Sequence, residues 1–382
     1  MIVTALDPEL YLKSSRTQRR MVRVLADNIR DALGGGAAVA RLGGNRLRIE
    51  TDREDAERVL AAVFGVRDVE RVECFDAGDF AALCDAVADR YRDRVAGRTF
   101  AVRARRTGSH DWSSQDLAIR VGDLLCEAGG SVDLTAPEVE VPVRIMNDSA
   151  YLTLDTTPAV GGLPLGTQGT ALVMFSGGID SPVAAHMVQH RGVAVEYLHF
   201  SLGCAQADHA AGIAFDLVDR YGAGTDPSLS VVDLEPGLAD IRDRVHPRSR
   251  QIALKAVMYR ASEAIARSLE GVRAIVNGES LGQVSTQTLD HITSLDRVIE
   301  MPVLRPVLAL DKPEIRRRAE AIGTYEASAR SRELCDISDG GKVAVSTAPR
   351  TLVAIADSLD DVVDSALATT KQIRLRDWMP GE

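Results

Sequence analysis

LVMFSGGIDS, residues 172–181, decides how this chain is to be read. Ala171–Phe175 is an apolar run of strand length, and it passes without a spacer into Ser176-Gly177-Gly178-Ile179-Asp180-Ser181 and then a helical pattern over Pro182–Arg191. Strand, glycine turn and helix together make an anion grip. The glycines let the backbone come close to the charge, Ser176 and Ser181 offer hydroxyls, and the helix start presents unpaired N–H groups and the positive end of its dipole. Pro182 suits a first helical turn, where its missing N–H costs nothing. No GxxxxGK[ST] occurs, so the loop is not of the Walker A kind.

With 382 residues the chain has room for two or three domains with real cores. Its 45% hydrophobic and 26% charged content is that of a globular protein, and no apolar run approaches a membrane span. No leader pattern opens the chain, so a cytoplasmic location without membrane attachment is expected. The five cysteines, at 74, 84, 126, 204 and 335, form no CxxC pair, which argues against a zinc ribbon or a disulfide framework. A net charge of −10 would ordinarily count against a nucleic-acid partner, but local basic clusters contradict that average.

One such cluster opens the chain. Residues 1–56 read as a small α+β unit: a strand-like Pro8–Lys13, a helix over Thr17–Leu33, a hairpin of Ala38–Leu42 and Arg46–Glu50 turning at Gly43-Gly44-Asn45, and a helix over about Glu54–Phe64. The first helix and the loop before it carry Lys13, Arg16, Arg19, Arg20, Arg23 and Arg30, a positive face. Residues 57–157 read as a second unit, with a helix over Phe80–Val95, a strand over Thr99–Arg105 ending in Arg103, Arg105 and Arg106, a capped helix over Ser113–Glu127, and strands over Glu138–Ile145 and Ala150–Leu154. Three arginines beside a helix start suit backbone phosphates, which fix position without reading bases.

The order FAVRARRTGSHDWSSQDLAIRVGDLL, then VDLTAPEVEVPVRI, resembles a THUMP domain, an RNA-binding module of tRNA-modifying enzymes. ELYLKSSRTQRRM is similar to the ferredoxin-like domain that precedes THUMP in tRNA 4-thiouridine synthases, and SGGIDS resembles the PP-loop of ATP pyrophosphatases. After the Gly- and Pro-rich boundary GGLPLGTQG, strands and helices alternate to the end, which implies a parallel sheet covered by helices with ligands at the strand C-termini. NGESLGQVSTQTLDHI, about 100 residues beyond SGGIDS, is the second long match to the 4-thiouridine synthases. The expected fold is therefore α/β multidomain: a ferredoxin-like α+β unit (1–56), a THUMP α/β domain (57–157) and a PP-loop ATP pyrophosphatase domain (158–382).

The resemblance implies an ATP site made of Met174, Phe175, Ser176, Gly177, Gly178, Ser181, His199, Phe200, Lys255, Gly278 and Gln287, with Ala256 standing where the family has an arginine. Asp180 matches the carboxylate required for adenylation and suits a Mg²⁺ ion beside bound phosphates; capping of its own helix is the plainer use of such a residue. The implied partner is tRNA, held through Lys13, Arg16, Arg19, Arg20, Arg103, Arg105 and Arg106, and the implied product is 4-thiouridine at position 8, formed when uridine O4 takes AMP from ATP and sulfur then displaces it.

Cys335 matches the family cysteine that works on the sulfur. No rhodanese segment follows it, so an external donor such as a cysteine desulfurase or sulfide is expected, or a cluster built on Cys204 and Cys335 with His209 or Asp208. The family further implies a homodimer. Two other readings stay open here: a PP-loop enzyme thiolating a different base, and a THUMP RNA-binding protein with an inactive nucleotide domain.

Overall fold

The computed structural model describes residues 1–43, 45–202, 207–330, 337 and 343–379. Up to residue 158 the elements run β1 (Ile2–Leu6), α1 (Ser15–Ala32), β2 (Ala38–Gly43), β3 (Arg46–Glu50), α2 (Ala56–Ala61), β4 (Val66–Asp76), α3 (Phe80–Val95), β5 (Thr99–Thr107), α4 (Ser114–Glu127), β6 (Ser131–Val132), β7 (Val139–Met146) and β8 (Ser149–Pro158). There follow β9 (Thr170–Met174), α5 (Asp180–His190), β10 (Ala194–Ser201), α6 (Ala207–Tyr221), β11 (Ser228–Asp233), α7 (Leu238–Arg244), α8 (Arg250–Ser268), β12 (Val272–Val276), α9 (Leu289–Leu295), β13 (Val303–Leu304), α10 (Lys312–Ile322), α11 (Tyr325–Ser328), α12 (Pro349–Asp357), α13 (Asp360–Ala368) and β14 (Lys371–Arg374).

These elements form two compact units. The first comprises Met1–Leu6, Leu33–Ala61 and Val66–Ala159; the second comprises Asp7–Ala32, Ala62–Gly65 and the described residues from Val160 onward. In the first unit all the strands share one sheet in the order β2-β3-β1-β4-β8-β7-β5-β6. Alternate β7 residues Val139, Val141, Val143 and Ile145 turn into a core with Leu83, Val87 and Tyr91 of α3 and Leu117, Val121 and Leu125 of α4. The α4 start is a capping box, in which Ser113 and Asp116 each accept from the other's backbone N–H.

The second unit holds the sheet β13-β12-β9-β10-β11-β14, parallel except for β14, which pairs antiparallel with β11. The β9 run is apolar throughout because both of its faces are covered. Leu172 packs with α8, α12 and α13, while Ala171 and Val173 pack with α5, α6 and α10. Fully burying one such side chain contributes about 1.5–3 kcal/mol. The helix α1 is tied into this unit: Asn28 Nδ2 donates to the Leu165 carbonyl at 3.1 Å, Arg20 Nη2 to that of Thr167 at 3.1 Å, and Arg376 to Asp31 at 2.6 Å.

Two local expectations are corrected. Pro8–Leu12 is a short 3₁₀ helix rather than a strand, because Asp7 accepts from Glu9 N at 2.8 Å as its cap and Pro8 begins the turn. The helix expected over Glu54–Phe64 is confined to Ala56–Ala61, and Ala62–Gly65 already belongs to the second unit.

Candidate nucleotide site

β9 ends at Met174, and the turn to α5 is closed by its own serines. Ser181 Oγ accepts from Ser176 N at 3.1 Å and lies 3.2 Å from Ser176 Oγ, which accepts from Gly178 N at 3.3 Å. Gly177 adopts φ +74°, a conformation that a side chain would strain, and a Cβ there would also meet Ala210 and His209 of α6 at 3.3 Å. The resulting loop is a glycine turn held by its own serines at the start of a helix, an arrangement suited to a phosphate chain.

The second glycine-bearing strand end lies against the first. Beyond β12, Gly278 comes so close to the α5 start that a Cβ on it would sit 2.9 Å from Ser181 N and Cα and 3.0 Å from the Asp180 carbonyl carbon. SGGIDS and NGES are therefore two walls of one cleft at the C-terminal ends of parallel neighbours β9 and β12. The third wall is the end of β10, where His199 is 3% exposed. Its Nδ1 donates to the Phe175 carbonyl at 2.9 Å, and Nε2 has no partner among the described residues. Burial pushes this imidazole below its ordinary pKa against the opposing pull of the Phe175 carbonyl, so His199 presents a neutral ring with Nε2 as acceptor.

Below the cleft lies a buried ion network that the sequence reading missed. Glu279, 3% exposed, accepts from Lys255 Nζ at 2.5 Å, Tyr259 OH at 2.9 Å and Arg305 Nε at 3.1 Å. Tyr259 OH in turn accepts from Asn277 Nδ2 and Arg305 Nη2, each at 3.1 Å. Burial alone would raise the Glu279 carboxyl, but Lys255 and Arg305 outweigh it and hold the group below the usual range, ionised. The network fixes Lys255 beneath the cleft through a partner that stays paired with Arg305.

Lys312 is the other missed residue. Its Nζ donates to Asp180 Oδ1 at 2.7 Å and lies 3.5 Å from Gln283 Oε1. A signal was available: the chain has only five lysines, and two of them, Lys255 and Lys312, meet at this cleft. The compact lysine charge suits a phosphate oxygen as a point contact.

The remaining expected ATP residues are placed as follows. Met174 is half-buried, with Sδ 3.8 Å from Asn277 Nδ2. Phe175 and Phe200 turn into the two cores, Phe175 edge-on to Tyr197 at 5.1 Å, so each faces the cleft through its backbone. Gln287 closes a turn, its carbonyl accepting from Gly282 N at 2.8 Å, and its Oε1 is buried without a partner among the described residues. Cys204 and Cys335 lie outside the described residues, so the cluster expectation rests on His209, half-buried at the α6 start, and the exposed Asp208. Among the described residues no group of three or more His, Cys, Asp or Glu could hold a metal ion, and no helix is long and apolar enough to cross a membrane.

The expected RNA contacts fall in two units. Lys13, Arg16, Arg19 and Arg20 are in the second unit, where Lys13 Nζ lies 3.4 Å from Glu9 Oε1 and Arg20 is bound to Thr167 as above. In the first unit Arg103 donates to Glu140 at 3.1 Å and to the Leu134 carbonyl at 2.9 Å. Arg106 turns to the opposite face, 3.2 Å from His110 Nδ1. Arg105 is exposed and, among the described residues, makes no hydrogen bond or ion pair.

Comparison with known proteins places these features in context. Residues 166–359 match the family model described as thiamine biosynthesis protein (ThiI), and residues 76–155 match the THUMP domain. A tRNA sulfurtransferase of Desulfurococcus amylolyticus is 38% identical over 335 residues, covering 86% of this chain and 69% of that protein. A probable tRNA sulfurtransferase of Saccharolobus islandicus is 33% identical and covers 94% of each chain. Among solved structures, a 4-thiouridine synthetase–RNA complex with bound ATP superposes with a TM-score of 0.88 at 25% identity, covering 97% of this chain and 98% of that one.

Proposed function

The chain belongs to the ThiI family of tRNA sulfurtransferases, and from that premise we propose that it uses ATP to install sulfur on tRNA, as 4-thiouridine at position 8. The observation that carries this reading is the packing of Gly278 onto the α5 start, which makes one cleft of the two glycine-bearing strand ends. In this cleft ATP lies with its phosphates on the N–H groups of SGGIDS and its nucleoside toward Met174, His199 and Gln287. The uridine O4 attacks the α-phosphate and pyrophosphate leaves, stabilised by Lys255 and Lys312. Asp180 is the residue that would hold a Mg²⁺ ion, which would supply charge neutralisation at the phosphates. Hydrosulfide from the donor, with Cys335 working on that sulfur, then forms the C–S bond at C4 as the C4–O bond to AMP breaks, so AMP departs with no change in oxidation state.

The sulfur comes from a separate donor, and the enzyme works in the cytoplasm as a homodimer. Residues 1–56, 57–157 and 158–382 act as ferredoxin-like, THUMP and PP-loop domains, the first two delivering the RNA. The test is recombinant protein with ATP, sulfide and unmodified tRNA, followed by absorbance in the thiouridine band and nucleoside mass spectrometry. Thiouridine at position 8 supports the reading. AMP formation without sulfur in tRNA, or sulfur on another base, overturns it.

A further inference from the structure

The open face of the first unit's sheet carries a second charged arrangement, unconnected with the nucleotide cleft. Its centre is Glu70 of β4, whose side chain is 8% exposed. Arg46 of β3 reaches it across β1, with Nη2 3.0 Å from Oε1, and Arg144 of β7 reaches it across β8, with Nη1 3.1 Å from Oε2. Arg105 of β5 stands directly beside Arg144 in register. On β7, Arg144 alternates with Val143 and Ile145, which point into the core under α3 and α4, so these side chains lie on the face away from that core. The floor between them is apolar, made of Val3, Val72 and Tyr151 with Met146 packed on it.

Two guanidinium groups here share one carboxylate, and a third, that of Arg105, stands beside them without an acidic partner among the described residues. Neighbouring acids are already paired: Glu140 with Arg103 at 3.1 Å, Asp68 with Arg67 at 2.5 Å and Glu50 with Arg48 at 3.4 Å. Crowding is felt by the central arginine: burial, then Arg46 and Arg105, press the Arg144 guanidinium below its ordinary pKa against the pull of Glu70. An arrangement short of negative charge on a half-buried floor is completed by an anion, and Arg105 together with the remaining edge of Arg144 supplies the fork geometry that fits a phosphate.

We infer that Arg105 and Arg144, held in place by Glu70 and Arg46, form a binding site for a backbone phosphate of the RNA substrate on the open face of the eight-stranded sheet. This rests on the proposed function and relocates its RNA contact from the end of β5 to the sheet face. Glu70 is a positioning residue: it spaces Arg46 from Arg144 and does not itself touch the RNA.

The experiment is anisotropy of labelled unmodified tRNA with the full-length protein over a salt series. Arg105→Ala and Arg144→Gln are each expected to weaken binding roughly fivefold near 0.1 M salt and to lower the slope of log K against log salt by about 0.7–0.9, the loss of one phosphate contact. Arg120→Ala, on the exposed side of α4, should leave the slope at the wild-type value, and all three variants should bind ATP as the wild type does. A wild-type slope in both Arg105→Ala and Arg144→Gln, or an equal drop in Arg120→Ala, overturns the inference and leaves the proposed function standing. Wild-type protein that does not bind tRNA overturns the proposed function instead.

Discussion

Lys312 Nζ lies 2.7 Å from Asp180 Oδ1, and each residue is the first of its helix, α10 and α5. A cation at a helix start is unfavourable, by roughly 0.3–1 kcal/mol, and the Asp180 carboxylate offsets that here. The pair therefore keeps two charges aimed at the cleft mouth while no phosphate is present. Lys312→Ala should lower tRNA-dependent pyrophosphate release at least tenfold, since a preorganised charge on the leaving group is lost. Lys312 is half exposed, so the melting temperature should move little. A variant with near-normal release would remove Lys312 from the phosphate path.

Asp180→Ala should abolish adenylation while tRNA binding stays near the wild-type value, because Asp180 belongs to the nucleotide cleft alone. The pair of measurements is pyrophosphate release and tRNA anisotropy. Loss of both would mean that the carboxylate holds the unit together instead of orienting ATP.

Gly278→Ala is the sharper test of the cleft. The added methyl would sit 2.9 Å from Ser181 N and Cα, both backbone atoms that cannot swing aside. Strain of this kind costs about 1–3 kcal/mol, and either the SGGIDS turn or the NGES segment must move. ATP affinity, read by calorimetry, should fall tenfold or more, with the first unit unaffected.

Acid should weaken the second unit through His186. This ring packs against Phe64 at 5.2 Å and Tyr221 at 4.8 Å, and burial pushes its pKa down to about 4. The folded state thus refuses a proton that the unfolded chain accepts below its ordinary value near 6.5. His186 contributes fully above that pH, and its contribution drains away as pH falls toward 4, by about 2 kcal/mol between pH 7 and pH 5. Denaturant midpoints at the two pH values should differ less in His186→Phe than in the wild type; an equal difference would place the acid sensitivity elsewhere.

The strand, turn and helix of the candidate nucleotide site were legible in the chain because they are local. A strand, a turn and a helix start follow one another within SGGIDS, and each signal survives without knowledge of the fold. β4 was not legible: toward the helices it presents Arg71 and Glu73, which pair with Glu57 and Arg90, so ion pairs stand where an apolar alternation would mark a strand. β14 escaped for another reason, being a short antiparallel edge strand with exposed ends. The Glu279 network could not be read at all. Lys255, Tyr259, Glu279 and Arg305 lie on α8, after β12 and after β13, and only the folded sheet brings them to one carboxylate. Phe175 and Phe200 show what a strand position leaves open: both rings turn into the cores, which the order of residues along the strand does not reveal.

The path of the backbone between the two compact units has a consequence for engineering. The chain enters the unit that carries the nucleotide cleft at Asp7, leaves it at Ala32, returns for Ala62–Gly65 and comes back for good at Val160. A fragment begun at residue 158 would lack α1, and with it the Asn28, Asp31 and Arg20 anchors on Leu165, Arg376 and Thr167. No single cut yields either unit whole, so neither can be transplanted intact by a simple fusion.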